Sequence, residues 1–146
     1  MENANPRFKL WLQRDDGRVL MSDYRVRLLE LIAATESLAK AASQLGLSYR
    51  RAWGKVRELE ENLGYPLVRS TVGGAGGGHT TITDDGLALV AAYRRFHERI
   101  AQAVTTAFAE ELANLEGSAQ NRNETPTINA ITTEPTPATS SRSRRT

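Results

Sequence analysis

Cysteine is absent from this chain of 146 residues. Disulfide bonds and thiolate ligands for a metal ion are therefore ruled out. Aromatic residues make up only 6% of the chain, and no apolar run approaches the roughly 20 residues that a membrane-spanning helix requires. The first residues also lack the apolar segment of a signal peptide. We therefore expect a soluble, cytoplasmic protein that has no contact with a membrane.

Signals for catalysis are missing as well. The two histidines, His79 and His97, lie in no pattern typical of a metal site. The sequence shows neither a cofactor motif nor an arrangement of Ser, His and Asp suited to nucleophilic attack. We expect no catalytic residues, no metal and no cofactor, and hence a protein that is not an enzyme.

The net charge of +2 is small, but the basic residues are unevenly placed. Residues 37–82 contain six basic and three acidic side chains, and such a basic patch is typical of polyanion binding. Residues 117–146 are rich in Ser, Thr, Asn and Pro and contain no aromatic residue. This composition buries too little apolar surface to fold. We predict one domain over residues 1–116 and a disordered tail over 117–146.

Turn and capping signals divide the predicted domain into short elements. Asp15-Asp16-Gly17 predicts a hairpin with strands near 7–13 and 18–21. Ser22 or Asp23 is expected to cap a helix that ends near Thr35. A short helix follows and stops at Gly46, and the next helix occupies about 49–63, between the cap Ser48 and the terminating Gly64.

The two helices joined by Gly46-Leu47 form a helix-turn-helix signature. Apolar residues are expected to fill the space between them, namely Leu38, Leu45, Leu47 and Val56, and Trp53 is expected to join the core. Basic and hydrogen-bonding residues lie in the first two turns of the second helix: Ser48, Tyr49, Arg50, Arg51 and Lys55. This arrangement favours insertion of the N-terminal end of the helix into the major groove of double-stranded DNA. Arg57 is expected to pair with Glu61 on a solvated face.

A glycine-rich loop follows the second helix, and five of the six residues from Gly73 to Gly78 are glycine. It lies between two predicted strands, LVRSTV and TTIT, where a winged helix has its wing. A nucleotide-binding loop would instead open directly into a helix and carry Gly-Lys-Ser/Thr. We expect the following wing residues to contact DNA: Arg69, Thr71, Gly74, Gly76, His79 and Thr80.

The last predicted helix covers about 84–116, capped by Thr83 or Asp84. Leu87, Val90 and Tyr93 are expected to anchor it to the core. Beyond them runs an apolar stripe at helical spacing: Phe96, Ile100, Val104, Phe108 and Leu112. A stripe of this length favours pairing with a second copy of the chain over folding back on its own domain. The expected fold is mainly α with short β hairpins, a winged helix-turn-helix with a long C-terminal dimerisation helix.

Several stretches resemble one known family. LGLSYRRAW (45–53) and the run LVRSTVGGAGGGHTTIT with DDG (67–86) are similar to ModE-type molybdate-responsive regulators, whose N-terminal domain is a LysR-like winged helix-turn-helix. KVRELEENLGYPLVR (55–69) also resembles the segment that leads LysR-type recognition helices into the wing. The resemblance covers about residues 7–100. It implies a homodimer that binds operator DNA of molybdenum genes through residues 48–55 and 69–80.

Two features depart from the family pattern. Ala75 stands where the family wing usually has Lys, and the tail follows in place of the family's molybdate-binding modules. We therefore do not expect direct molybdate binding. Two alternatives remain open: a small oxyanion-binding protein that uses the amides of the glycine loop, and a dimerisation partner of a full-length regulator.

Overall fold

The computed structural model describes residues 3–71, 78–113 and 115. Within this part of the chain, four helices and two antiparallel hairpins form the fold. In chain order they are β1 (Trp11–Gln13), β2 (Val19–Ser22), α1 (Asp23–Thr35), α2 (Leu38–Gln44), α3 (Tyr49–Leu63), β3 (Val68–Thr71), β4 (His79–Ile82) and α4 (Asp84–Glu111). The expected class, mainly α with short hairpins, is confirmed.

Hydroxyl side chains cap the helices where the sequence predicts. Ser22, Ser48 and Thr83 each accept a hydrogen bond from the backbone N–H three residues later, and this satisfies one of the free donors of the first turn. Gly64 ends α3 with φ of 86°, a left-handed conformation that glycine adopts without steric cost. Local chemistry therefore fixes both ends of α3.

The core lies between the first three helices. Each contributes small or aliphatic side chains that are fully buried: Leu28, Leu29 and Ile32 from α1, Leu38, Ala41 and Ala42 from α2, and Ala52, Val56 and Leu59 from α3. Leu45, Leu47 and Trp53 are half-buried and pack against this cluster. The predicted packing of the helix-turn-helix is confirmed, because α2 and α3 share one apolar face.

The first hairpin is shorter than expected. β1 begins only at Trp11, because Leu10 bonds to the start of α1 instead of continuing the ladder. The Leu10 N–H donates to Asp23 Oδ2 at 3.2 Å, and the Asp23 N–H donates to the Leu10 carbonyl at 3.3 Å. The register then shifts between Leu12 and Gln13. The hairpin is thereby attached to the N-terminus of α1.

The long helix also differs from the expectation. It ends at Glu111 rather than near 116, and its 28 residues span about 42 Å. Leu87 is 49% exposed and does not anchor the helix, whereas Leu89 and Val90 pack against the core and Tyr93 is buried.

The Tyr93 hydroxyl lies 2.6 Å from Asp23 Oδ1 and 2.9 Å from the Leu10 carbonyl oxygen. Burial, together with this contact to Asp23, raises the pKa of Tyr93, so the phenol stays protonated and can donate.

The first turn of α4 lies directly against the second hairpin. A Cβ at Gly86 would stand 2.6 Å from the Leu67 carbonyl oxygen and 2.7 Å from Ile82 Cγ1. The same carbonyl accepts from the Thr83 N–H at 2.9 Å. No side chain fits between the two elements at this point.

Replacement of Gly86 by alanine tests this contact. Gly86→Ala should lower the free energy of unfolding by about 1–3 kcal/mol, because the added methyl meets backbone that cannot yield freely. Gly54→Ala is the matched control: it lies in α3 with open space around it, and there alanine should stabilise by about 0.5–1 kcal/mol. Urea denaturation measures the free energy of unfolding of both variants. Equal stability of the two variants would contradict the close packing at Gly86.

An ion pair joins α1 to α4 and makes stability depend on pH. Arg94 donates to both carboxylate oxygens of Glu30, at 2.6 Å and 2.7 Å. These hydrogen bonds hold the pKa of Glu30 below its usual 4.5. The pair therefore stabilises the fold above that pH, and the contribution is lost as the pH falls through the lower folded-state pKa.

Glu30→Gln should lower the free energy of unfolding by about 1 kcal/mol at pH 7, a modest value because Arg94 is 41% exposed and solvent screens the pair. The difference from the unmodified chain should shrink as the pH falls below 4.5. Urea titrations at pH 7 and pH 3 measure it, and a difference that persists unchanged at pH 3 would contradict the assignment.

Candidate nucleic-acid interface

The N-terminal half of α3 buries Ala52 against the core and exposes its other faces to solvent. Ser48, Tyr49, Arg50 and Arg51 are all exposed, and Tyr49 is 54% exposed. The Ser48 hydroxyl oxygen accepts from the Arg51 N–H at 3.2 Å, so it orders the first turn and its own hydrogen stays available for donation. Lys55 is half-buried. The structure thus brings together the five α3 residues that the sequence predicts as DNA contacts.

Within the described part of the chain, the basic residues of α3 have no acidic partner, whereas two of its acidic residues contact other parts of the domain. Among the described residues, no carboxylate lies within 4 Å of Arg50, Arg51 or Lys55. Two of the three acidic side chains further along the helix, those of Glu58 and Glu60, are engaged elsewhere. Glu58 pairs with Arg25 at 3.0 Å, and Glu60 Oε1 accepts from the N–H groups of Leu67 and Val68. The N-terminal half of α3 is therefore cationic without internal compensation.

Arg57 behaves differently from the expectation. Its guanidinium lies over the Trp53 ring, 6.0 Å from the centroid. In the part of the chain that the structure covers, no ion pair joins Arg57 to Glu61. Trp53 is only half-buried and lies one turn before Arg57 on the same side of the helix, so its ring face is within reach of the guanidinium.

The second hairpin presents exposed residues on both of its strands. Arg69 and Thr71 of β3 are exposed, as is His79 of β4, which pairs with Thr71 in the ladder. The Thr71 hydroxyl donates weakly to the His79 carbonyl at 3.5 Å. Gly74 and Gly76 lie outside the described residues. The hairpin is the position of a wing, directly after α3.

Thr80 is the exception among the predicted contacts. It is only 5% exposed, and its N–H donates to the Glu36 carbonyl at 3.0 Å. Because side chains alternate along a strand, Thr80 faces the domain while its neighbours His79 and Thr81 face solvent. Its side chain is removed from any ligand surface, and its assignment as a DNA contact was wrong. The alternation along β4 was the sequence signal for this difference.

The apolar stripe of α4 has mixed exposure. Phe96 is 40% and Leu112 is 43% exposed, and Ile100, Val104 and Phe108 are half-buried. Nearer the domain, His97 stacks on Phe8 with ring centroids 4.9 Å apart, and its Nε2 lies 3.5 Å from Asp23 Oδ1. His97 is thus part of the contact between α4 and the N-terminal segment.

Among the described residues, no group of three or more His, Asp or Glu side chains is placed to hold a metal ion. No helix within the described ranges has both the length and the apolar character that a membrane crossing needs.

The geometry agrees with a sequence match. Residues 24–87 match the family described as bacterial regulatory helix-turn-helix protein, lysR family. The matched range extends from α1 through α3 and the second hairpin into the first turn of α4. Over these residues the chain is similar to a LysR-type helix-turn-helix domain. The first hairpin precedes the matched range, and most of α4 follows it.

Curated relatives with similar sequences are molybdenum proteins. The chain is 41% identical over 86 residues to the molybdenum transport protein ModE of Azotobacter vinelandii, covering 59% of this chain and 32% of the relative. It is 44% identical over 69 residues to the molybdenum-pterin-binding protein MopA of Rhodobacter capsulatus, covering 47% and 26%. The DNA-binding transcriptional dual regulator ModE of Escherichia coli K12 is 35% identical over 69 residues, covering 47% and 26%. The chain thus spans about a third or less of the length of these relatives.

Solved structures with a similar chain include the CbnR DNA-binding domain in complex with DNA. The identity is 22%, the match covers 62% of this chain and 98% of that one, and the TM-score is 0.49. The similarity to the LysR family lies in residues 24–87.

Proposed function

We propose that this chain is a sequence-specific DNA-binding transcriptional regulator of molybdenum-related genes that acts as a homodimer. The observation that carries the proposal is the cationic N-terminal half of α3, which lies in a helix-turn-helix similar to that of the LysR family. The proposed protein is not an enzyme and works in the cytoplasm, where it has access to DNA.

In the proposed complex, α3 enters the major groove by its N-terminal end. Arg50 and Arg51 are exposed there, and an arginine can bind guanine O6 and N7 with two hydrogen bonds. Ser48 and Tyr49 supply hydroxyl groups for bases or phosphates. The positive end of the helix dipole adds to the attraction for phosphate. Glu58 and Glu60 stay outside the groove because their own contacts hold them at the domain.

The second hairpin supplies the backbone contacts beside the groove. Arg69, Thr71 and His79 offer donors on its exposed surface, and the DNA contacts expected of Gly74 and Gly76 stay predictions. Thr80 is left out of this set because it is buried. Contacts of this kind set the register of the protein on DNA and carry no base sequence information.

A two-fold dimer would use the stripe on α4. The helix is about 42 Å long, while the contacts described above fasten it to the domain only as far as His97. Pairing of two α4 helices would cover Phe96 and Leu112 and bring two copies of α3 to a pseudopalindromic operator.

The link to molybdenum rests on the names of the relatives, and those proteins are about three or four times as long as the matched region. We therefore propose molybdenum-related genes as targets without proposing that this chain binds molybdate.

Fluorescence anisotropy on DNA tests the function directly. The protein is titrated onto the promoter of a molybdate transport gene, onto the DNA upstream of its own gene and onto scrambled DNA, in a salt series. Tighter binding to one promoter, with an affinity that falls steeply with salt, supports the proposal and counts the phosphate contacts. Equal affinity for all three DNAs would overturn it. Calorimetry with molybdate at micromolar concentration tests the oxyanion-binding alternative.

Arg51→Ala should weaken binding to the preferred promoter by about 1–3 kcal/mol if Arg51 contacts a base edge. The loss should be smaller on scrambled DNA, because base contacts contribute only to the preferred sequence.

Arg27→Ala is the control with the same charge change. Arg27 is an exposed residue of α1 whose guanidinium lies 3.8 Å from Glu30, away from α3. Its removal should leave affinity nearly unchanged. Unaltered promoter affinity in a folded Arg51→Ala variant would contradict the proposed contact of Arg51 with DNA.

Phe108→Asp should weaken the proposed dimer at least tenfold, because dimerisation would have to bury a carboxylate. Thr106→Asp adds the same charge on the nearly opposite side of α4, at an exposed position, and should leave the dimer intact. Sedimentation velocity at micromolar concentration measures both. A Phe108→Asp variant that sediments as the unmodified chain does would contradict the α4 interface.

A further inference from the structure

Tyr24 belongs to α1, yet it contacts the helix that forms the candidate interface. It is the second residue of α1 and is 40% exposed. The ammonium nitrogen of Lys55 lies 5.4 Å from the centroid of its ring, within the range of about 6 Å over which a cation is attracted to an aromatic face. Lys55 lies in the second turn of α3, four residues after Arg51.

We propose that Tyr24 is a positioning residue of the DNA interface, which holds the Lys55 ammonium in place for a DNA phosphate through its aromatic face. This inference rests on the proposed function and adds a residue to its site. Tyr24 acts through Lys55 and needs no direct contact with a base.

Arg25, the residue after Tyr24 in α1, forms an ion pair with an acidic residue of α3. Arg25 Nη2 lies 3.0 Å from Glu58 Oε1, and the Arg25 side chain is only 11% exposed. Arg25 also donates to the Val19 carbonyl at 3.1 Å, which fixes the guanidinium against β2. Glu58 follows Lys55 by three residues on α3, a spacing at which opposite charges pair on a helix surface. Arg25 therefore engages the carboxylate that would otherwise compete for Lys55.

The chemistry of the two partners explains why this arrangement suits DNA binding. A carboxylate partner would cancel the positive charge of Lys55, whereas an aromatic ring restrains the ammonium and leaves its full charge for a phosphate. Restraint before binding also reduces the conformational entropy that a flexible lysine loses on contact with DNA. Adjacent residues of α1 thus separate the opposite charges of α3.

A double-mutant cycle on the full chain tests the inference. Tyr24→Leu should weaken promoter binding about two- to fivefold, the range expected for one exposed cation–aromatic contact. Tyr24→Phe keeps the ring and should bind as the unmodified chain does. Lys55→Met should reduce the salt slope by about one. In the Lys55→Met background, Tyr24→Leu should have no further effect.

Two outcomes of the cycle would overturn the role of Tyr24. One is a loss in Tyr24→Phe equal to that in Tyr24→Leu, which would assign the effect to the hydroxyl group. The other is an undiminished effect of Tyr24→Leu in the Lys55→Met background. Both outcomes leave the proposed function standing if the unmodified chain still prefers its promoter, while failure of the unmodified chain to discriminate would overturn both proposals.

A measurement without DNA checks the contact itself. The Lys55 Cε protons should show an upfield ring-current shift in the NMR spectrum of the free protein. Tyr24→Phe should retain the shift and Tyr24→Leu should abolish it. Absence of the shift in the unmodified chain would overturn the inference.

Discussion

The carboxylate of Glu60 joins α3 to the second hairpin, and the candidate interface depends on this junction. Its Oε1 accepts from the N–H groups of Leu67 and Val68 at 2.8 Å and 3.1 Å. On the other side of the same end of α3, the Asn62 side chain donates to the Val19 carbonyl of the first hairpin. The C-terminal half of α3 is thereby fixed to both hairpins. The basic face of its N-terminal half stays exposed, with its orientation already set.

This asymmetry gives the charged residues of α3 two different tasks. Of the acidic side chains near its C-terminal end, Glu58 pairs with a guanidinium and Glu60 accepts from two backbone donors. Arginine side chains near its N-terminal end have no such use among the described residues. The negative charges therefore lie toward one end of the helix and, within the described part of the chain, the unpaired positive charges lie toward the other, which favours approach of a polyanion to the N-terminal end.

The bounds of the helices could be predicted from local sequence signals. Contacts between elements that are distant in the sequence could not. Ser48 and Gly64 set the bounds of α3 through capping chemistry that acts within a few residues. The partner of Lys55 was not predicted, because Tyr24 reaches it only once α1 packs on α3. The burial of Thr80 follows from the alternation of side chains along β4, which turns Thr80 toward the domain and its neighbours toward solvent. The predicted contacts at Gly74 and Gly76 lie outside the described residues and stay predictions.

Mapping the DNA-bound surface by amide chemical shifts tests the central claim most directly. The labelled chain is titrated with its preferred promoter fragment, and the shift of each backbone amide is followed. The account predicts the largest changes over residues 48–55 and at the exposed end of the second hairpin, with small changes over 60–65, where α3 is fixed to the hairpins. Largest changes in the first hairpin, with residues 48–55 unaffected, would contradict it.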